Sequence, residues 1–340
     1  MSDRSERDAA TADAIELPTG GPTELPTEGP TLADVQAAAA RIAPHAHRTP
    51  VMRSSAIDEI LGATLHFKCE NLQKVGAFKF RGACNTLLSL SDAEIENGIA
   101  THSSGNHGAA VSLAAQLRGT SSVVVMPSNT SAVKQAAVAH YGARIVHCEP
   151  NEESRTRTLD SIVEEEGRTL VHPFDDVRVI AGQGTAALEF IEQVPDLDVV
   201  ITPVGGGGLL SGTAIAISAL RPEIRIIGAE PAAADDTYRS FRAGHIIPVG
   251  VPDTIADGLR TTVGALTFPI ISRHVEDIVR VSEESIVEAM RLTWQRTKLI
   301  IEPSAAVPLA ALLEGLVEMR GARVGIILSG GNVDLDALPW

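Results

Sequence analysis

The chain is poor in basic residues. Its 340 residues hold 28 Lys and Arg against 43 Asp and Glu, a formal net charge of -15, and no basic stripe interrupts that excess. Nucleic acid and anionic membrane are therefore poor partners. The same field repels small anions at long range, so any anion site must be made locally, from backbone amides and a few placed cations. Cysteine is also scarce. Cys69, Cys84 and Cys148 are widely spaced, without a C-x-x-C pair or a Cys/His cluster of metal-ligand spacing. That argues against a disulfide framework and for free thiols in a reducing, cytoplasmic compartment. Long apolar runs are missing too. Met-Ser-Asp-Arg leads into no hydrophobic segment, and the most apolar stretches are broken by Glu302, Pro303 and Pro308; neither a signal peptide nor a membrane span is expected.

What is present is ordinary globular composition, 44% apolar and 21% charged, enough for one large or two medium domains. Residues 1 to about 30 repeat a Leu-Pro-Thr-x-Gly-Pro-Thr unit that cannot bury a face, and a disordered tail is expected there. From Thr31 a capping residue opens the Ala-rich helical pattern TLADVQAAAARIAPHA. Short β-branched runs (TLHFKCE, GIATHSS, SSVVVMP, ARIVHCE, DVVITPV, IRIIGAE, RVGIILSGG) then alternate with amphipathic stretches at 77–90, 107–118, 131–142, 209–220 and 283–298. This alternation predicts an α/β fold built on mostly parallel sheets. Ligands in such folds bind beyond the carboxyl ends of the strands.

Four segments at such ends carry unusual residues. Gly205, Gly206, Gly207 and Gly208 follow a strand and open a helix, where backbone N–H groups at the positive helix end can surround a phosphate. A dinucleotide loop is the rival, with Glu230 about twenty residues on, but Leu210 or Ser211 stands where the third glycine of G-x-G-x-x-G belongs; a tight turn is the bland alternative. In AFKFRGA, Lys79 and Arg81 flank Phe80 in an apolar setting near a helix start, which lowers an amine pKa as Schiff-base chemistry requires; a surface Lys covering its Phe neighbours fits the spacing equally. In THSSGNHGAA, Ser103, Ser104, Gly105, Asn106 and His107 lie at a strand-to-helix corner suited either to a carboxylate or to helix capping. In GAEPAAADD, Glu230, Asp235 and Asp236 offer oxygen ligands to a hard cation or simply form an acidic turn.

In this order AFKFRGA, SSGNHGAA, PVGGGGLLSG, EPAAADD, TIADGLR and SGGNVDL resemble, over roughly residues 32 to 335, fold-type II pyridoxal-phosphate (PLP) enzymes of the serine/threonine dehydratase and serine racemase family. The resemblance implies two α/β domains with the cofactor in the cleft between them: 31–96 with 176–340 as the large one, 97–175 as a small mobile one. It implies that Lys79 carries PLP, Phe78 flanks the ring, Asn106 bonds the ring hydroxyl, Gly205 to Gly208 hold the phosphate and Ser329 faces the pyridine nitrogen. Ser103, Ser104, Asn106 and His107 would bind the substrate carboxylate, with Arg155 nearby. Glu230, Asp236 and the carbonyl of Ala234 would hold a divalent cation, Mg or Ca.

The activity so implied is removal of ammonia from a β-hydroxy amino acid such as L-serine or L-threonine, giving a 2-oxo acid. Ser104 resembles the racemase branch, where a hydroxyl opposite Lys79 returns a proton, so some serine racemisation is expected. Ala77 before Phe78 is similar to L-threo-3-hydroxyaspartate dehydratases, whereas HPFDD at 172–176 resembles threonine dehydratases. A cytoplasmic homodimer, nucleotide activation and no appended regulatory domain are further implications. Competing readings are a dedicated racemase, a β-replacement synthase of the cysteine synthase type, a PLP-binding regulatory protein and a nicotinamide dehydrogenase.

Overall fold

The computed structural model describes residues 29–103 and 105–340. Ser104 and nearly all of the expected N-terminal tail lie outside the described residues. Thr31 caps α1 (Leu32–Ile42) in a reciprocal capping box, its backbone N–H donating to Asp34 Oδ2 at 2.8 Å while Asp34 N–H donates to the Thr31 hydroxyl. A short edge strand β1 (Val51–Met52) and α2 (Ser55–Leu61) lead to β2 (Thr64–Lys68), and α3 (Lys79–Ser89) follows after two single 3-10 turns.

The next stretch is regular strand-helix alternation: β3 (Ile99–His102), α4 (Asn106–Arg118), β4 (Ser122–Pro127), α5 (Ala132–His140), β5 (Arg144–Cys148), α6 (Glu152–Glu166) and β6 (Thr169–Leu170). These strands form a parallel sheet in the order β5-β4-β3-β6. The chain then makes α7 (Val177–Gln193), β7 (Val199–Pro203), α8 (Gly208–Leu220), β8 (Arg225–Pro231), α9 (Asp236–Ala243), α10 (Thr267–His274), β9 (Asp277–Val281), α11 (Glu283–Thr297), α12 (Pro303–Leu313) and β10 (Arg323–Ile327). They complete a six-stranded sheet, β1-β2-β10-β7-β8-β9, parallel except for β1 against β2.

Both faces of the larger sheet are covered, which is why β7 reads as the unbroken buried run VVITP. One apolar core joins it to α2, α11 and α12, another to α1, α7, α8 and α10. The smaller sheet packs on α6 across one face and on α4 and α5 across the other. The expected α/β fold with mostly parallel sheets is thus found.

One helix runs through residues that interrupt the apolar pattern. Pro303 and Pro308 break the apolar run in sequence, yet α12 starts at Pro303 and continues through Pro308. At the first position the missing N–H costs nothing. At Pro308 an intrahelical bond is lost, and the helix persists because Ser304 to Leu312 are all buried in the core.

Candidate active site

Segments leaving β3, β7 and β10, joined by the start of α3, converge on a cavity of about 130 Å3. Lys79, Phe78, Ser103, Asn106, His107, Arg155, Gly205 to Gly208 and Ser329 all line it, so three of the four segments singled out in the sequence meet at one place, joined by Ser329.

The glycine loop runs from β7 into α8, with Gly207 at φ 89° as the residue before the helix; the left-handed backbone there selects glycine. The Gly206 carbonyl is drawn away from the cavity by the Thr267 hydroxyl at 2.7 Å and by Gly264 N–H. Crowding supplies a second reason for glycine. A Cβ at Gly206 would fall 2.3 Å from ring atoms of Phe174, and one at Gly208 would lie 3.1 Å from Phe174 Cβ. Asp175, the next residue, accepts from the backbone N–H groups of Ala265, Leu266 and Thr267 at the head of α10. Asp176 caps α7 through Arg178 and Val179 N–H. HPFDD therefore ties the glycine loop to two helices.

Lys79 opens α3, whose entry is fixed to the end of β10: Phe78 N–H donates to the Ser329 carbonyl at 3.0 Å, and Ala77 bridges Gly330. Lys79 Nζ donates to the Pro173 carbonyl at 2.9 Å and lies 5.1 Å from the Phe78 ring centroid. Burial pulls its amine down from the ordinary lysine value to about 8, against the opposing charge of Glu302. Ser329 is buried, 3% exposed.

The setting of Arg81 differs from expectation. Two residues beyond Lys79 it is fully buried, but in a charged cluster rather than an apolar one. It binds Glu70 at 2.7 Å and Glu189 at 2.8 Å, and Lys68 Nζ reaches Glu189 at 2.6 Å, the Thr49 carbonyl at 2.9 Å and Gln193 at 2.8 Å. Two cations face two carboxylates, and the cluster bolts α3 to α7 and β2.

At the end of β3, Ser103 Oγ accepts from Gly105 N–H at 3.1 Å. Asn106 starts α4 and donates through Nδ2 to Glu302 Oε1 at 2.8 Å. The His107 ring is buried, its Nε2 3.4 Å from the Val171 carbonyl and its Nδ1 without a partner. Burial, with help from the Lys79 charge, holds His107 well below the ordinary histidine value; burial likewise brings His102 to about 3 and His172 to about 4. His172 Nδ1 accepts from Asp175 N–H at 2.8 Å, which puts its proton on Nε2. Arg155 borders both this cavity and an outer one of about 1120 Å3. Its Nε is buried and unpartnered, and among the described residues it makes no ion pair.

Sequence reasoning missed Glu302, Lys134 and Asp257. Lys134, on α5, pairs with Asp257 across the mouth of the cavity. Glu302 is 5% exposed, and burial together with the Asp257 charge raises it to about 7. Its signal was there: it is the lone acid in LIIEPSAAVPLAALL, read only as a break in an apolar run.

Glu230 and Asp236 lie apart from this cavity. Glu230 accepts from Tyr238 N–H at 2.6 Å and Thr237 N–H at 3.3 Å, Asp236 Oδ2 from Val263 N–H at 2.8 Å, and Asp236 Oδ1 is buried without a partner. Burial and the Asp236 charge push Glu230 well above the ordinary carboxylate value, and burial brings Asp236 to about 7. Asp235 is taken by Arg239 and Arg280 at 2.7 Å each. Among the described residues no three His, Cys, Asp or Glu side chains gather as a metal cluster, so a cation here would need a carbonyl such as that of Ala234. The orphaned Asp236 oxygen fits that arrangement.

A parallel α/β fold with a buried amine facing a glycine-lined helix N-terminus defines a class. The pyridoxal-phosphate dependent enzyme family matches residues 42–330, and this chain belongs to it as a fold-type II member. It is 50% identical to the beta-hydroxyaspartate dehydratase of Paracoccus denitrificans (strain Pd 1222) over 307 residues, 90% of this chain and 98% of that one. It is also 50% identical to the serine racemase of Dictyostelium discoideum over 311 residues, 90% and 96% of the two chains. The solved structure of maize serine racemase superposes with a TM-score of 0.89 at 46% identity, covering 91% of this chain and 95% of that one. PLP is the cofactor and a small amino acid the class of substrate. Among the described residues no helix is long and apolar enough to cross a membrane.

Proposed function

We propose that the protein is a PLP-dependent ammonia-lyase that converts small β-hydroxy amino acids to 2-oxo acids, with serine racemisation alongside. The observation that carries this is Lys79, whose amine is brought to about 8 by burial in a cavity walled by the glycine loop. When bound, the cofactor takes up the electron pair left on Cα as its proton leaves. Lys79, close to neutral at mildly alkaline pH, is the base within reach of that proton. Gly205 to Gly208 and the N-terminus of α8 would hold the phosphate, with Phe78 beside the ring and Asn106 toward the ring hydroxyl. Ser329 would offer the ring nitrogen a hydroxyl rather than a carboxylate, which would leave that nitrogen largely unprotonated and favour loss of the β-hydroxyl. The substrate carboxylate is held at the head of α4 by Ser103, Ser104, Asn106 and His107, the last through its backbone, since its ring is turned to Val171. To Ser104, which lies outside the described residues, we assign the return of a proton to Cα, on family resemblance alone.

Among substrates, Arg155 favours a dicarboxylate. It is a cation at the cavity with a buried, unpartnered Nε, in a chain whose net charge otherwise repels anions, and it suits the second carboxylate of L-threo-3-hydroxyaspartate. The 50% identity with a protein named beta-hydroxyaspartate dehydratase supports a β-hydroxy dicarboxylate.

The proposal extends to a divalent cation, Mg or Ca, on Glu230, Asp236 and the Ala234 carbonyl, supported by the orphaned Asp236 oxygen. It also includes a cytoplasmic homodimer and a nucleotide effector, both resting on family resemblance. Residues 97–175, which contain the whole smaller sheet, form the domain that closes over substrate. The deciding experiment mixes protein, PLP and Mg with L-serine, L-threonine or L-threo-3-hydroxyaspartate and follows ammonia and keto acid beside Lys79→Ala. Release that vanishes in the variant supports the lyase; no release from any of the three refutes it.

A further inference from the structure

The amide of Asn106 sits within a chain of hydrogen bonds whose two ends are acceptors. Asn332 Nδ2 donates to the Val75 carbonyl at 2.7 Å and to Asn106 Oδ1 at 2.9 Å. Asn106 Nδ2 in turn donates to Glu302 Oε1 at 2.8 Å and Oε2 at 3.1 Å. A backbone carbonyl has no proton to give, and neither has an ionised carboxylate. Each bond can then run only one way. Val75 demands the Nδ2 of Asn332, whose second hydrogen goes to Asn106 Oδ1, and Glu302 demands the Nδ2 of Asn106. The Val75 end enforces the same order when Glu302 is protonated.

The backbone is shaped around this chain. Val75 adopts φ 58°, a left-handed conformation unusual for a β-branched residue, and it is the carbonyl of Val75 that starts the sequence of bonds. A Cβ on Gly76 would lie 2.7 Å from Asn332 Oδ1, and one on Gly330 would lie 2.5 Å from Glu302 Oε1 and 3.2 Å from Asn106 Nδ2. Two glycines thus leave room for its two outer members.

We propose that Asn332 and Glu302 are positioning residues that lock the amide of Asn106, so that it turns an N–H and not its carbonyl toward the ring oxygen of the cofactor. This rests on the reading that Asn106 faces that oxygen. One proton is shared between the ring oxygen and the Lys79 nitrogen bound to the cofactor. A donor from Asn106 leaves the oxygen bare and the proton on nitrogen, the form that absorbs in the visible; an acceptor there draws the proton to oxygen, the form that absorbs in the near ultraviolet.

Absorbance spectra of the PLP-loaded protein at fixed pH, without substrate, test this. Glu302→Gln alone keeps the visible band, because the new amide can still accept and Asn332 still sets the order. Asn332→Leu alone keeps it through Glu302. The double variant E302Q/N332D reverses both bonds to Asn106. The carboxylate introduced at position 332 accepts from Asn106 Nδ2, the amide introduced at position 302 donates to Asn106 Oδ1, and the ratio of near-ultraviolet to visible absorbance rises about tenfold, the scale of one hydrogen bond. If that double variant does not bind PLP, E302Q/N332L, in which neither end dictates the order, is expected to raise the ratio by a smaller factor. A wild-type spectrum in whichever double variant binds PLP overturns the proposal, provided Asn106→Ala changes the spectrum. If Asn106→Ala also leaves it unchanged, the reading that Asn106 faces the ring oxygen is what fails, and the proposal falls with it.

Discussion

Lys79 Nζ donates to the carbonyl of Pro173 at 2.9 Å, joining the head of α3 to the segment that leaves the smaller sheet. That carbonyl bonds an ammonium more strongly than a neutral amine, but burial outweighs it and disfavours the charge. Because Lys79 is held below its ordinary value, to about 8, the folded chain releases a proton that the unfolded chain keeps. Without cofactor, stability therefore rises as pH climbs from about 8 toward the ordinary lysine value, and below that window the buried charge is a full penalty. Lys79→Met should raise the thermal midpoint of the cofactor-free protein at pH 7 and lose that advantage near pH 10.5, as followed by circular dichroism.

Gly206 and Phe174 are coupled by space. Gly206→Ala drives a methyl into the Phe174 ring and is expected to weaken PLP binding by about tenfold or more, the order of a 1–3 kcal/mol overpacking cost. Phe174→Ala in the same chain removes the clash, and fluorescence titration should show the double variant binding PLP better than Gly206→Ala alone.

Arg81 carries no chemistry in the proposed reaction and yet is fully buried with Glu70 and Glu189. Arg81→Met leaves the buried Glu70 and the half-buried Glu189 facing only Lys68, and a loss of about 3–5 kcal/mol is expected in denaturant unfolding. Combining it with Glu70→Gln restores the balance of charge, so the pair should cost less than the sum of the two single changes.

Glu230 and Asp236 both lie above the ordinary carboxylate range. Their folded values exceed their unfolded ones, so in a cation-free chain they favour folding below the unfolded values, and that contribution is lost as pH rises through neutrality. A bound divalent cation needs them ionised. Mg or Ca should therefore raise the thermal midpoint more at pH 8 than at pH 6, an effect that Asp236→Asn abolishes.

Arg155 is predicted to select the substrate. Arg155→Ala should raise KM for L-threo-3-hydroxyaspartate by about tenfold to a hundredfold, the value of one charge-assisted hydrogen bond or more, while changing KM for L-serine far less. Equal losses for both substrates would place Arg155 on the α-carboxylate instead.

For the proposed proton return by Ser104, L-serine incubated in deuterated water should yield deuterium-labelled D-serine beside the keto acid, and Ser104→Ala should suppress the former. Keto acid with no D-serine, unchanged by the substitution, would remove that role.

By itself the sequence determined the alternation of elements and the anchors of the site, because both are encoded locally. Strand and helix periodicity needs only neighbours, a glycine run after a buried strand can be read without knowing what lies opposite, and AFKFRGA or SSGNHGAA carry a family resemblance in a handful of residues. Only the tertiary structure decided what each side chain faces. Lys79 and Arg81 look alike in sequence, two cations flanking Phe80, but lie on different sides of α3, one toward the cavity and one into a buried cluster completed by Lys68 and Glu189. Glu302 reads in sequence only as a break in an apolar run and is the partner of Asn106, 196 positions away. Pro308 interrupts an apolar run in sequence and sits inside a helix held by core packing. Periodicity is a property of neighbours along the chain, whereas charge compensation, burial and hydrogen-bond polarity belong to neighbours in space.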